Sequence, residues 1–460
     1  MAEFDPLYTA EEMRAAEQGH DVAALMERAG STAARIALET FEGADRWTVV
    51  CGGGANGGDG RIAARRLGEA GKEVRVVDAK AGETELGEPH VIVDALFGTG
   101  FAGEPRPDAA ALIERINAAP APVLAIDVPS GVDASTGEIA TVAVEARETV
   151  TFHGRKLGVV VAPGRFHAGT VRVADIGLEP SRTGARLATL ELLRSVPRRR
   201  EGDNKYTAGH VLVVGGSQGL TGAPSLTALA AMRADAGYVT VAAPASTLPV
   251  FEQRLVEAVK RPLPDDGGLV AGGSAARVRE LAANASAVAL GPGLGRGPGP
   301  HALVRELLAE LELPVVVDAD ALHELEPAAW PGPRVLTPHE GELARLLGRE
   351  SREIAAHRLA SVREAADRFE CVVLLKGADT LVAAPGRDLL VSALGLPSLA
   401  TAGTGDVLTG IIAAFLAKGM EPQLAAVAGA AAQHRASVEA EQRAGLIASD
   451  VIAALPRALT

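Results

Sequence analysis

Along the first half of the chain, short runs of β-branched and aliphatic residues alternate with Ala-rich stretches of helical spacing. WTVVCGGG, RIAARRLGEAG, EVRVVDAK, HVIVDALFGTG and PVLAIDVPSG follow one another. Apolar runs closed by glycine or proline predict buried strands, and their alternation with helical patterns predicts βαβ units and a parallel sheet. A second series runs HVLVVGGSQG, GYVTVAAP, AVALGPGLG, PVVVDADAL, RVLTPHEGE and CVVLLKG, and a turn-linked pair follows in DTLVAAPGRDLLVS. Helices over about 405–418 and 423–441 complete it, with Gly419 as a stop for the first. Between the two series, SVPRRREGDNKYTAG at 195–209 breaks the pattern with a proline, a basic cluster and turn residues. A first domain over 1–195, a linker over 196–204 and a second domain over 205–460 are therefore expected.

Composition supports two layered domains. A chain of 460 residues exceeds one compact core, and 3% aromatics beside abundant Ala, Val, Leu and Gly suit closely approaching helices and sheets. A formal charge of −13 removes the attraction that nucleic acid or an anionic membrane would need, so small ligands are expected instead. Cys51 and Cys371 are too few for a disulfide framework and lack the spacing of a zinc site. The opening MAEFDPLYTAEEMRAAEQ has no apolar signal core, and GIIAAFLA is too short to span a bilayer. No membrane association and a cytoplasmic location are expected.

Candidate chemistry in the first half begins at CGGGANGGDG. Gly52, Gly54 and Gly57 match a dinucleotide-binding fingerprint after a strand, and Asp78 closes the next strand where a ribose-binding acid would stand. A dehydrogenase is one reading, although GTGFAG at 98–103 matches the same pattern in a chain with 52 glycines. Asp94 and Asp127 both close apolar strands, VIVD and LAID, ahead of loops rich in glycine and proline. Residues at the carboxyl ends of parallel strands converge on one crevice, and two carboxylates there call for a cation or a proton. With Asn56 and Ser130 on equivalent loops, all-oxygen ligation of a hard cation is one outcome. Turn capping by each acid separately is the other.

Asn56-Gly57-Gly58-Asp59-Gly60, DALFGTGFAG, DVPSGVDASTG and TFHGRKLG, the last with Lys156 and Gly158, together resemble the epimerase domain of bacterial NAD(P)H-hydrate repair enzymes across roughly residues 8–190. The resemblance implies that Asn56, Asp94 and Ser130 hold potassium. It also implies that Ala55, Asn56, Gly57, Gly58 and Asp59 contact the hydrated dinucleotide, as do Asp127 and the loop Gly98, Thr99, Gly100, Phe101, Ala102, Gly103 and Glu104. Ala55 stands where the family commonly has asparagine. The glycine pattern then serves a dinucleotide-sized crevice without hydride transfer. Asp127 is the candidate proton carrier for interconverting two C6 hydroxyl epimers.

In the second half GGSQGLTGAP, GPGLG, TPHEGE, LLKGADT and LATAGTGD stand in that order. The last four follow apolar strands or open a helix, so they should gather at one edge of the sheet. Glycines at a helix mouth cradle phosphate through bare N–H groups, yet Asp406 puts a carboxylate where that charge would be felt. It is either an N-terminal cap or a base that takes the proton of a hydroxyl attacking phosphorus.

The order and the Gly-Thr-Gly-Asp stretch resemble the ribokinase-like superfamily, and within it the ADP- or ATP-dependent NAD(P)H-hydrate dehydratases over nearly all of residues 205–455. The resemblance implies that Asp406 is the general base and that Ala223, Gly293, His339 and Asp406 contact the hydrated substrate. Nucleotide contacts are implied for Lys376, Gly377, Ala378, Asp379 and Thr380, and for Thr401, Ala402, Gly403, Thr404 and Gly405. Glu340 and Glu342 suit either magnesium or an exposed acidic loop. Asp235, in RADAGYVTV, stands where the family more often has glycine.

The expected fold is α/β in two domains, an N-terminal Rossmann-like three-layer sandwich and a C-terminal ribokinase-like three-layer sandwich. The implied activity is repair of hydrated nicotinamide dinucleotides: epimerisation of R and S NAD(P)HX, then dehydration of the S form to NAD(P)H at the expense of ADP or ATP. Potassium, and magnesium with ADP or ATP, are the implied cofactors, and a homo-oligomer is implied as for other enzymes of this sort. The alternative is a sugar or vitamin-precursor kinase fused to a nucleotide-binding domain, against which TPHEGE speaks. An idle binding or scaffold protein is opposed by the intact Asp127 and Asp406.

Overall fold

The computed structural model describes every residue except Met1, Leu394 and Arg443. Two compact units are present, one built on Pro6–Ala185 and the other on Arg186–Ile354 with Arg358–Thr460.

The first unit holds six parallel strands: β1 Arg46–Cys51, β2 Glu73–Asp78, β3 Val91–Ala95, β4 Val123–Ile126, β5 Glu148–Phe152 and β6 Thr170–Ala174. Their spatial order is β2-β1-β3-β4-β5-β6. The chain leaves β1 in one direction and returns to its other side at β3, so the carboxyl ends of β1 and β3 flank a topological switch point. Period-two alternation divides the strands between two cores: Val49 and Val93 pack with Ala33, Ala37 and Leu67, while Val50 and Ile92 pack with Leu112, Ile113 and Ile116. Glycine lets the layers approach. A Cβ on Gly60 would stand 2.4 Å from Ala95 Cβ, and one on Gly30 would stand 2.6 Å from Ile62 Cβ. Close contact between small residues thus takes the place of aromatic filling.

The second unit continues with β7 His210–Val214, β8 Tyr238–Pro244, β9 Val259–Leu263, β10 Ala287–Leu290, β11 Val315–Val317, β12 Arg334–Leu336, β13 Val372–Leu375, β14 Thr380–Ala383 and β15 Leu389–Ser392. Their order is β9-β8-β7-β10-β11-β12-β13-β14-β15. Pairing is parallel as far as β13, and the turn-linked pair adds antiparallel strands at β14 and β15. Helices Gly222–Arg233, Thr404–Ala417, Pro422–Glu439 and Ala448–Ala458 share one core with Val211, Val213, Ala289 and Val316. The alternate positions Leu212, Val288 and Val317 are equally buried, so both faces of the sheet are covered.

The helix Thr404–Ala417 is buried around its whole circumference beyond Asp406, which is why GIIAAFLA is so apolar. No helix among the described residues is long and apolar enough to cross a membrane. The unit boundary lies at Ala185/Arg186, upstream of the division read at 195/196. Leu192, Leu193 and Val196 precede or open the basic cluster, yet they are buried in the second unit's core. The composition break therefore marks a surface loop of that unit.

Candidate active sites

In the first unit a cavity of about 500 Å³ opens at the carboxyl ends of β1, β3 and β4. Asn56, Asp59, Thr99, Phe101, Asp127 and Lys156 are in its wall. Asp127 follows β4 with φ +71°, a left-handed conformation that a non-glycine residue holds at a cost. Its Oδ1 lies 2.8 Å from Lys156 Nζ, and its Oδ2 accepts the Thr99 N–H at 3.0 Å. Lys156 is 1% exposed and also donates to the Phe152 carbonyl at 2.8 Å. The lysine thus pairs with Asp127 and aims it.

Asp59 has the opposite environment. Burial, then the neighbouring charges of Asp127 and Glu17, push it up to about 8. Glu17, which the sequence reading overlooked, is raised by burial and by Asp127. The cavity wall therefore carries both the lysine-paired Asp127 and an Asp59 carboxyl that keeps its proton at neutral pH, an arrangement that suits acid and base work on one substrate.

The three residues expected to hold a cation converge on the Phe97 peptide. Asn56 Nδ2 donates to the Phe97 carbonyl at 2.7 Å and to that of Ile126 at 3.1 Å. The Phe97 N–H donates to Ser130 Oγ at 2.8 Å. Ser130 Oγ donates to Asp94 Oδ1 at 2.6 Å, and its N–H donates to Asp94 Oδ2 at 2.8 Å. Asn56 Oδ1 is buried without a hydrogen-bond partner. Burial pushes Asp94 up to about 6 against the lowering effect of its Ser130 bonds. An orphaned amide oxygen near a buried acid fits an oxygen-liganded monovalent cation.

Gly57, Gly58 and Gly98 allow close packing, while Gly54, Gly100 and Gly103 face open space. A Cβ on Gly57 would stand 2.0 Å from the Gly52 carbonyl oxygen, and one on Gly58 would stand 2.5 Å from Met26 Sδ. Gly98 sits under Asn56 and Asp127, with their atoms 3.0–3.1 Å from where its Cβ would be. Ala102, Gly103 and Glu104 are exposed and outside the cavity wall. Phe101 stacks on Phe97 at 4.7 Å between ring centroids, giving the crevice an aromatic side. Asp78 is occupied by Arg61 at 2.7 Å and by the N–H groups of Lys80 and Ala81, which removes the ribose-binding reading.

In the second unit the carboxyl ends of β7, β10, β11, β12 and β13 are successive neighbours, so the predicted loops meet along one sheet edge. Gly403, at φ +89°, occupies the cap position of helix Thr404–Ala417 without a side-chain bond. Asp406 lies in the first turn and is not the cap. Burial, followed by the Asp318 charge, pushes Asp406 up to about 7 against the opposing effect of Lys376. Lys376 Nζ lies 2.8 Å from Asp318 Oδ1 and 3.6 Å from Glu342 Oε2. Burial works against its charge, but these carboxylates outweigh it and leave its pKa raised. A Cβ on Gly405 would stand 3.5 Å from Lys376 Nζ, so ammonium and helix mouth adjoin. Thr404 Oγ1 donates to the Leu399 and Thr401 carbonyls, and Gln433 Nε2 donates to that of Thr404. Thr401 and the exposed Ala402 thus form the turn leading into the helix.

His339 caps helix Glu340–Leu347, its Nδ1 accepting the Gly341 N–H at 3.0 Å. Glu342 closes this capping box and faces Lys376, while Glu340 pairs with Arg358. Both acids are engaged in ion pairs, Glu340 with Arg358 and Glu342 with Lys376. Within the 376–380 turn, Asp379 is fully buried against Arg358 at 3.3 Å, and a Cβ on Gly377 would strike the same guanidinium. Thr380 opens β14, buried. Lys376 and the backbone as far as Ala378 remain the outward-facing part. Gly293, at φ +58°, accepts the N–H groups of Gly216 and Ser217 and so ties GPGLG to GGSQG. Ala223 opens the helix Gly222–Arg233, from which Thr227 Oγ1 donates to the Asp406 carbonyl at 3.1 Å.

Asp318 was missed by the sequence reading, although it closes the apolar run PVVVD just as Asp94 and Asp127 close theirs. Asp235 adopts φ +71°, a left-handed conformation that favours glycine. Its carboxylate pairs with Lys418 at 2.8 Å and with Arg199 at 2.7 Å.

Two family models match the chain: one described as NAD(P)H-hydrate dehydratase, over residues 211–457, and one as YjeF-related protein N-terminus, over 22–86 and 78–158. The bifunctional NAD(P)H-hydrate repair enzyme Nnr of Moorella thermoacetica is 38% identical, the match covering 95% of this chain and 92% of that protein. The enzyme of the same name from Escherichia coli is 34% identical, with 94% and 88% covered. The structure of ADP/ATP-dependent NAD(P)H-hydrate dehydratase from Bacillus subtilis, co-crystallized with ATP/Mg2+, superposes with a TM-score of 0.52 at 28% identity. It covers 59% of this chain and 96% of the Bacillus chain.

Proposed function

Because this chain belongs to the family of bifunctional NAD(P)H-hydrate repair enzymes, we propose that its first crevice interconverts the R and S forms of hydrated NAD(P)H and that its second dehydrates the S form. Relatives matched along both halves favour this over a small-molecule kinase with an accessory domain.

In the first crevice, Asp127 carries the proton to or from the C6 hydroxyl, held in place by Lys156 and Thr99. Asn56, Asp94 and Ser130 would hold potassium, which supplies a fixed positive charge beside the 98–104 loop. Phe97 and Phe101 offer an apolar face for the nicotinamide ring.

In the second crevice, the substrate's C6 hydroxyl oxygen attacks the terminal phosphorus of ATP or ADP. Its proton passes to Asp406, and ADP or AMP leaves. Phosphate then departs from C6 as a proton is lost from C5, and the dihydropyridine double bond returns. Lys376 and the first-turn N–H groups of Thr404 and Gly405 face the transferring phosphoryl group. Magnesium accompanies the nucleotide and neutralises part of its charge. The observation that carries this reading is Asp406, pushed up to about 7 in the first turn of a helix and beside the Lys376 ammonium. A base is most effective with a pKa near the working pH.

The test is incubation with mixed NADHX epimers, with and without ADP or ATP, followed by absorbance of NADH. Recovery of more NADH than the S epimer alone could yield supports both activities. No nucleotide-dependent recovery refutes the second.

A further inference from the structure

Asp318, Ala319 and Asp320 follow β11 in the middle of the second unit's sheet, and each does something that a plain turn would not. Asp318 is 2% exposed and divides its two oxygens: Oδ1 lies 2.8 Å from Lys376 Nζ, and Oδ2 accepts the Thr409 hydroxyl at 2.7 Å. Thr409 belongs to the helix whose first turn carries Asp406. Ala319 has φ +53°, a strained conformation for a residue with a Cβ, and it lets the chain reverse directly after Asp318. Asp320 turns the other way. Its Oδ2 accepts the Gly295 N–H at 2.9 Å and its Oδ1 pairs with Arg296 at 3.2 Å, on the loop that carries Gly293.

Resting on the reading of this crevice as a phosphoryl-transfer site, we propose that Asp318 is a positioning residue that locks the Lys376 ammonium to helix Thr404–Ala417, while Asp320 ties the substrate loop to the same turn. A lysine side chain has four rotatable bonds, and left unpaired it would sample many positions before the helix mouth. A buried two-oxygen clamp, fixed on its far side by Thr409, removes that freedom before the nucleotide arrives. The clamp also adds negative charge near the base. The charged groups around Asp406 are Asp318, Lys376, Asp320 and Glu342, and among the neighbouring charges Asp318 has the largest effect. Removing its charge therefore lowers the proton affinity of Asp406.

The test uses the full chain with Asp318→Asn and Thr409→Val, each checked for folding by circular dichroism. For Asp318→Asn, kcat for nucleotide-dependent dehydration should fall by about 10²-fold, the scale of a misplaced reacting group. KM for the hydrated dinucleotide should hold, and the acid limb of the kcat–pH profile should move to lower pH. Thr409→Val keeps both charges, so kcat should fall with the limb in place. Unchanged kcat in Asp318→Asn, or a fall with the acid limb unmoved, overturns the proposal. A readout independent of turnover is acylation of Lys376 by an amine-reactive reagent, mapped by peptide mass. The wild type should be slow and Asp318→Asn faster, and equal rates overturn the clamp even if the enzyme proves inactive on NADHX. A wild-type chain that makes no NADH, yet shows this difference in acylation, would fault the functional reading and leave the clamp standing.

Discussion

Lys156 Nζ lies 2.8 Å from Asp127 Oδ1, and the lysine is 1% exposed. The buried ammonium holds the Asp127 side chain in place, while Asp59 in the same cavity wall is pushed up to about 8 and stays protonated at neutral pH. The contrast between these two carboxyl groups gives the first crevice its chemical polarity. Asp127→Asn should reduce epimerisation by about 10²–10⁴-fold, the usual effect of losing a proton carrier. ADP-dependent dehydration of purified S epimer should persist, because Asp406 lies in the other compact unit. Separate assays of the two reactions on one preparation check this.

Asp59→Asn should change how stability depends on pH. Its carboxyl is raised from 3.8 to about 8, so the folded state holds a proton that the unfolded chain releases. The group's contribution is therefore complete below about pH 4 and declines as pH rises towards 8. Asparagine cannot ionise, so the Tm of Asp59→Asn relative to wild type should rise between pH 4 and pH 8.5. Thermal melts across that range decide it, and a constant difference would contradict the sign.

Potassium should raise the epimerase rate and the Tm of the wild type. Asn56→Ala removes the orphaned amide oxygen and should abolish both responses. Melts in potassium chloride and in an equal concentration of a bulky organic cation salt provide the comparison at constant ionic strength.

Asp406→Asn should keep or tighten ADP binding, since it removes a carboxylate beside the phosphates, while dehydration falls by about 10²–10⁴-fold. In the wild type the base works deprotonated, so kcat should climb with pH through about 7. Calorimetry with ADP and a pH–rate profile test the two halves.

At Asp235, alanine and glycine both lose the pairs with Lys418 and Arg199, but only alanine keeps the left-handed strain. Asp235→Ala should be less stable than Asp235→Gly by about 1 kcal/mol. Urea denaturation of the two variants measures this difference.

The alternation of short apolar runs with Ala-rich helices determined both parallel sheets, because a strand covered on both faces needs apolar residues at every position and a parallel neighbour needs a crossover. The same strand-end logic singled out Asp94 and Asp127, of which Asp127 lines the crevice while Asp94 is fully buried against Ser130. Local pattern could not place the unit boundary, since Leu192, Leu193 and Val196 look like any short apolar turn until a core receives them. Nor could it choose between cap and base for Asp406: a capping aspartate and a first-turn aspartate differ by the φ of Gly403, which is a property of the folded loop. Asp318 was readable as another strand-end acid. Its meaning came only from Lys376 and Thr409, far away in the chain, because a side chain's charge acts through distance in space, and tertiary packing alone brings those three groups together.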